Sequence, residues 1–280
     1  MCDTEEPGGD KNTMDKAHLL RDAFASGRLL IGGHVFLNDP SIAEAMSMFG
    51  YKALWIDGEH GTFDKEKILA HIVAANGAGA AAIVRVVGND PYAIKPVLEM
   101  GPDGLIVPMV CSAEEAKRMV DACTYPPSGS RGFGPRRANR YGSQTAAEYL
   151  ENADRSIVKI AQIEHIKAVE NIDGILGVEG LDAVVIGPYD LSGSVGRLGQ
   201  LTHPDLIALY DRIVAACKAK GKPCGVSIGP SDQEYMRAWI QRGVDFIFCG
   251  DDLAFMAMGA KQTIGFIETC PRQGGKKELL

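Results

Sequence analysis

Ala53-Leu54-Trp55-Ile56-Asp57, followed at once by Gly58-Glu59-His60-Gly61, is a short apolar run that stops on two carboxylates and a histidine. The run has the length of a buried strand, and its polar end falls where such a strand meets a loop. A buried carboxylate or imidazole costs free energy unless paired or ligated, so the cluster points to a site; a polar loop with a helix cap is the competing reading. Runs of the same kind recur along the chain, at Leu29 to Phe36, Ala81 to Val87, Gly104 to Met109, Ile157 to Glu164, Leu181 to Gly187, Pro223 to Ile228 and Asp245 to Cys249. Longer amphipathic segments separate them. Ser41 to Phe49 reads as a helix stopped by Gly50, and Ser112-Ala113-Glu114-Glu115 as a capping box opening a helix to Cys123. Eight βα units predict an α/β protein, a (β/α)8 TIM barrel in one domain over residues 17–270, with polar tails at 1–16 and 271–280. A doubly wound sheet is the runner-up, but Ile31-Gly32-Gly33-His34 is a poor match to the phosphate turn it calls for.

Two segments exceed a minimal barrel. The Gly/Pro-rich stretch from Tyr125 to Gly142, followed by a helix near Ala146 to Asn152, is a candidate active-site loop. It carries Arg131, Arg136, Arg137 and Arg140, a positive patch that either is simply solvated, draws in an anion or pairs subunits. A C-terminal helix from Asp252 to about Thr269 is apolar on most sides, so it must bury against something; closing the barrel is the first expectation and a neighbouring subunit the second.

Composition bounds the function. The 280 residues are 46% hydrophobic with a formal net charge of -7, which disfavours a nucleic-acid surface. No stretch reaches the roughly 20 apolar residues that span a bilayer, and the acidic start Met1-Cys2-Asp3-Thr4-Glu5-Glu6 is unlike a signal peptide, so no membrane and a cytoplasmic location are expected. The seven cysteines, at 2, 111, 123, 217, 224, 249 and 270, show no Cys-x-x-Cys spacing and read as reduced core residues.

In a (β/α)8 barrel, reacting groups sit at the C-terminal ends of the strands. Besides Asp57-Gly58-Glu59-His60, polar residues stand there at Arg85, at Gln162-Ile163-Glu164-His165 and at Gly187-Pro188-Tyr189-Asp190-Leu191-Ser192. Side chains alternate along a strand, so Val158, Ile160, Gln162 and Glu164 share a face and Lys159 takes the other. Glu164 and Gln162 are therefore expected in the barrel mouth, and a Schiff base through Lys159 is disfavoured. Glu164 and Asp190 are hard oxygen donors without a cysteine or histidine cluster, a set that suits Mg²⁺ or Mn²⁺. Taken singly, Glu164 reads as an ion-pair partner and Asp190 as a helix cap; their meeting at one rim with Arg85 and His60 favours a site.

Asp57-Gly58-Glu59-His60, Val84-Arg85 with Asn89-Asp90-Pro91, Tyr125-Pro126-Pro127 with Arg131-Gly132, Gln162-Ile163-Glu164 and Gly187-Pro188-Tyr189-Asp190-Leu191-Ser192 together resemble the HpcH/HpaI aldolase family of class II, metal-dependent pyruvate aldolases, over roughly residues 20 to 265. The resemblance implies a barrel of the phosphoenolpyruvate/pyruvate type. It implies a carbon–carbon lyase that reversibly cleaves a 4-hydroxy-2-oxo acid to pyruvate and an aldehyde through a metal-stabilised enolate. It makes Glu164 and Asp190 the ligands of a divalent ion, Mg²⁺ or Mn²⁺ with Co²⁺ and Zn²⁺ as further candidates. Gln162 neighbours the waters on that ion. His60, held by Asp57, becomes the acid/base; Arg85 stabilises the enolate oxygen; the backbone around Gly187, Tyr189 and Asp190 holds the pyruvate carboxylate; and Glu59 stands beside the metal waters. The resemblance also implies a homohexamer, a trimer of dimers.

Departures leave the aldehyde open. Pro135 follows Gly134 where those enzymes have a serine, Tyr189 replaces a small residue, His165 a threonine, and Glu99 stands where they contribute an aspartate from a neighbouring subunit. Two other readings compete: an oxaloacetate decarboxylase or related enolate-forming enzyme, which needs the same metal pocket but less of His60, and a non-catalytic barrel that binds a partner.

Overall fold

The computed structural model describes residues 16–230 and 233–270, so all but Lys16 of the expected polar tails lie outside the described residues. Eight strands form: β1 (Leu30–Val35), β2 (Ala53–Asp57), β3 (Ala81–Arg85), β4 (Gly104–Val107), β5 (Val158–Ile163), β6 (Ala183–Ile186), β7 (Cys224–Ile228) and β8 (Phe246–Asp251). Each pairs in parallel with its successor and β8 pairs with β1, closing the barrel in sequence order as expected. Several strand ends depart from the periodicity, with β3 stopping at Arg85 and β6 spanning only Ala183–Ile186. β4 stops at Val107, ahead of Pro108 and of Met109, which turns into the left-handed region at φ 55°. β8 runs on to Asp251 through Gly250 at φ 78°, and the register with β1 shifts between Gly32 and His34.

Alternation divides the apolar residues into two layers. Ala53, Trp55, Ala81, Ile83, Ile106, Val158, Ile160, Ala183, Val185, Phe246 and Phe248 fill the barrel interior. Leu54, Ile56, Ala82, Val84, Leu105, Val184 and Ile186 face the surrounding helices. Two glycines make room for the interior rings: a Cβ on Gly225 would lie 2.0 Å from the Phe246 ring, and one on Gly32 2.4 Å from Phe248.

The N-terminal end of the barrel is sealed by the helix Ala17–Ser26, which places Ala17, Leu20 and Ala23 in the interior cluster and Phe24 5.3 Å from Phe246. This corrects the expectation that the C-terminal helix closes the barrel. That helix, Asp252–Thr269, buries only Asp252, whose carboxylate accepts the Phe36 and Leu37 N–H groups at 3.0 and 2.9 Å. Met256 and Phe266 further along are 57% and 70% exposed.

The arginine-rich segment is corrected too. Arg137 donates to the carbonyls of Met100 and Gly101, just before β4, and to Asn76 near the end of the helix before β3. Arg131 lies over Tyr125 at 4.4 Å. The loop therefore packs at the N-terminal end of its own barrel, opposite the mouth, and its helix Ala146–Asn152 opens with a full capping box, Thr145 with Glu148. The expected box at Ser112 forms by half: Ser112 Oγ accepts from Glu115 N–H, but the Glu115 carboxylate takes the Cys111 N–H instead. Among the described residues no helix is long and apolar enough to cross a membrane and no disulfide forms.

If the first helix is the plug, Leu20→Ala opens a cavity inside the barrel floor and should cost about 2–5 kcal/mol of stability, measured by urea unfolding. A change under about 0.5 kcal/mol, the scale of a surface substitution, would mean that the helix is not part of the core.

Candidate active site

Asp57 is the last residue of β2 and only 1% exposed. A buried carboxylate needs its lone pairs satisfied. Its Oδ1 accepts the backbone N–H of Glu59 and of His60, each at 3.0 Å, so the turn leaving β2 wraps around it. It also accepts from Arg85, opposite it on β3, at Nε (3.1 Å) and at a terminal nitrogen. The other terminal nitrogen lies 3.0 Å from Glu59, and the guanidinium rests 5.0 Å over the Trp55 ring. Arg85 is thus fixed from three sides, with a further N–H on each terminal nitrogen.

The expected hold of Asp57 on His60 takes a different form. Asp57 grips the His60 backbone, while the carboxylate near the ring is Glu59, 3.9 Å from Nε2. The His60 side chain is 65% exposed. Burial raises the Glu59 pKa, against the pull of the Arg85 and His60 charges.

Across the mouth, β5 places Gln162 and Glu164 as alternation predicts, and Gln162 Nε2 donates to Glu164 Oε2. The other carboxylate oxygen accepts the Met109 N–H at 2.8 Å, which places that left-handed residue at the rim. Glu164 is 3% exposed. Burial pushes its pKa up to about 7, opposed by the Met109 hydrogen bond and assisted by the charge of Asp190. Gln162 Oε1 is buried with no hydrogen-bond partner. Gly187 is required by close approach: a Cβ there would fall 2.8 Å from Glu164 Oε2 and 2.9 Å from Gln162 Nε2.

Gly187 precedes the helix Pro188–Ser194, with Tyr189 and Asp190 exposed in its first turn. The Gly187 N–H is committed to the Ile163 carbonyl, so it does not serve the expected carboxylate cradle. The Tyr189 and Asp190 amides are first-turn donors without intrahelical acceptors. Ser192 braces the turn, donating to the Tyr189 carbonyl and accepting from Gly199. Among the described residues no group of three or more His, Cys, Asp or Glu side chains is arranged to hold a metal ion. The hard oxygen donors on this side are the buried Glu164, the exposed Asp190 and the buried, unpaired Gln162 oxygen, a set whose chemistry suits a hard cation.

Glu99 stands apart. It ends the helix Pro91–Glu99 at the N-terminal side of the barrel, 3.7 Å from Arg131, and its burial raises its pKa. Within one chain it does not reach the mouth. Lys159, the outward residue on β5, is buried beside Asp154, clear of the site. The residues that sequence reasoning missed are Trp55 under Arg85, Met109 under Glu164, and His34. The imidazole of His34 is buried in the same mouth, 5.3 Å from Trp55. A lone polar residue in the apolar run of β1 was the available signal.

Residues 31–261 match the family described as HpcH/HpaI aldolase/citrate lyase. A 5-keto-4-deoxy-D-glucarate aldolase of Salmonella arizonae is 35% identical over 241 residues, 86% of this chain and 93% of that one. Among solved structures, an HpcH/HpaI aldolase from Desulfitobacterium hafniense superposes with a TM-score of 0.85 at 30% identity, covering 92% of this chain and 99% of that one. The citrate synthase SbnG does so with 0.79 at 30% identity, covering 91% and 97%. With the barrel, the paired Asp57 and Arg85 and the Glu164 pocket in place, the chain belongs to the HpcH/HpaI aldolase/citrate lyase family and is a carbon–carbon lyase.

Proposed function

We propose that the chain is a metal-dependent pyruvate aldolase, reversibly cleaving a 4-hydroxy-2-oxo acid to pyruvate and an aldehyde. The observation that carries this reading is the meeting of Arg85, Glu59 and His60 with Gln162 and Glu164 at one barrel mouth, where the Gln162 oxygen is buried and unpaired. Glu164 and Asp190 would hold a divalent ion, Mg²⁺ or Mn²⁺, with the buried Gln162 Oε1 as a neighbouring acceptor. When bound, that ion polarises the 2-oxo group as a Lewis acid.

The chain's own residues do the rest. The Tyr189 and Asp190 amides hold the substrate carboxylate. In the cleavage direction His60 takes the proton of the C4 hydroxyl. The C3–C4 bond breaks, its electron pair passes into the 2-oxo group as the enolate, and C4 leaves as the aldehyde carbonyl. Arg85, locked by Asp57 and Glu59, turns its remaining N–H groups toward the oxygen where that charge develops, so no reorganisation is needed as it forms. His60 then returns its proton to C3, giving pyruvate. Asp57 acts by holding Arg85 and the His60 backbone; Glu59 is the carboxylate that answers a charged His60 ring.

The assay is pyruvate release across a panel of acidic, sugar-derived and aromatic aldol substrates. EDTA should abolish it and Mg²⁺ or Mn²⁺ restore it. His60→Gln should lower cleavage about 10²–10⁴-fold while oxaloacetate decarboxylation, which needs the enolate pocket but no C4 proton acceptor, persists. Both activities surviving would remove the acid/base assignment. No metal-dependent turnover with any substrate would overturn the metal-dependent pyruvate aldolase reading.

Assembly as a homohexamer is part of the proposal. Its support is the exposed apolar helix Asp252–Thr269 and the position of Glu99, which only a second chain can bring to a mouth. Light scattering coupled to size exclusion should give six chains; a monomer would remove this part.

A further inference from the structure

The wall of the mouth built by β7, β8 and β1 carries none of the machinery above. On it His34 places Nδ1 3.0 Å from the Gly250 carbonyl and Nε2 2.8 Å from Ser227 Oγ. A carbonyl only accepts, so Nδ1 carries the ring proton. Nε2 is then a lone pair, and the hydrogen bond to it must come from the Ser227 hydroxyl. The ring is enclosed by Trp55 at 5.3 Å and Phe248 at 5.9 Å, and burial holds its basicity below the ordinary histidine value, which favours the neutral form. The one proton of Ser227 is therefore committed, and its oxygen offers the mouth lone pairs alone. Ser227 faces inward: Gly225, two residues earlier, abuts the interior Phe246 ring, and Ser227 is the half-buried member of an otherwise buried strand.

We propose that Ser227, held as a pure acceptor by His34, determines specificity for the fragment that does not become pyruvate, selecting an aldehyde that bears a hydroxyl group. The inference rests on the aldolase reading. Asp57, His60, Arg85, Gln162, Glu164 and Asp190 occupy the β2, β3, β5 and β6 side, which leaves this wall to the second fragment. A hydroxyl donor pairs with the Ser227 oxygen. An unsubstituted chain leaves that acceptor desolvated and unpaired, the asymmetry by which a polar site rejects an analogue lacking its partner.

The test uses the full chain with Mg²⁺, pyruvate and two matched acceptors, glycolaldehyde and acetaldehyde, following the aldol product. The wild type should favour glycolaldehyde in kcat/KM by about tenfold or more, and Ser227→Ala should erase that preference through loss on glycolaldehyde alone. A wild type without the preference, or a preference that survives in a folded Ser227→Ala protein, overturns the proposal. Exchange of the pyruvate methyl protons in D₂O needs no aldehyde and tests the enolate reading by itself. Its absence removes both readings; its presence beside an unaltered acceptor ratio removes only this one.

Discussion

The ion pair between Asp57 and Arg85 joins the scaffold to the chemistry, because each charge is buried and neither is tolerable without the other. Desolvating a lone carboxylate or guanidinium costs several kcal/mol, which the pair offsets only with good geometry and full hydrogen bonding. Asp57 meets that condition by accepting two backbone amides as well as the guanidinium. The turn carrying Glu59 and His60 and the direction of Arg85 therefore follow from one carboxylate at the end of β2.

The mouth has two chemically different sides. On one, carboxylates, a guanidinium and an unpaired amide oxygen crowd a pocket whose burial raises the Glu164 pKa to about 7. On the other, a neutral imidazole sits among Trp55, Phe36 and Phe248, with a single hydroxyl as its polar outlet. The same aromatic floor supports Arg85 through the Trp55 face, so packing and electrostatics reinforce each other.

Most of the barrel was legible because a buried parallel strand must be a short apolar run, and eight of them can close only one way at this length. Period-two alternation correctly sent Gln162 and Glu164 inward and Lys159 out. Elsewhere the pattern under-determined the answer. The Asp252–Thr269 helix is apolar enough to be a plug, yet Ala17, Leu20 and Ala23 fill that place, and hydrophobicity does not say which of two apolar helices meets the barrel floor. The arginines of 131–140 are as basic at the wrong end of the barrel as they would be at the right one.

The sequence by itself determined the strand order, the face each strand residue takes and the identity of the charged groups at the strand ends, since these depend on local periodicity and residue chemistry. Only the tertiary structure decided who pairs with whom. That Glu59 and not Asp57 meets the His60 ring depends on how the turn after β2 folds around Asp57; that Gly187 gives its N–H to Ile163 and that His34 reaches across β8 to Ser227 depend on groups distant in sequence converging. Hydrogen bonds are set by distances of a few tenths of an ångström, and such distances exist only after the barrel has closed.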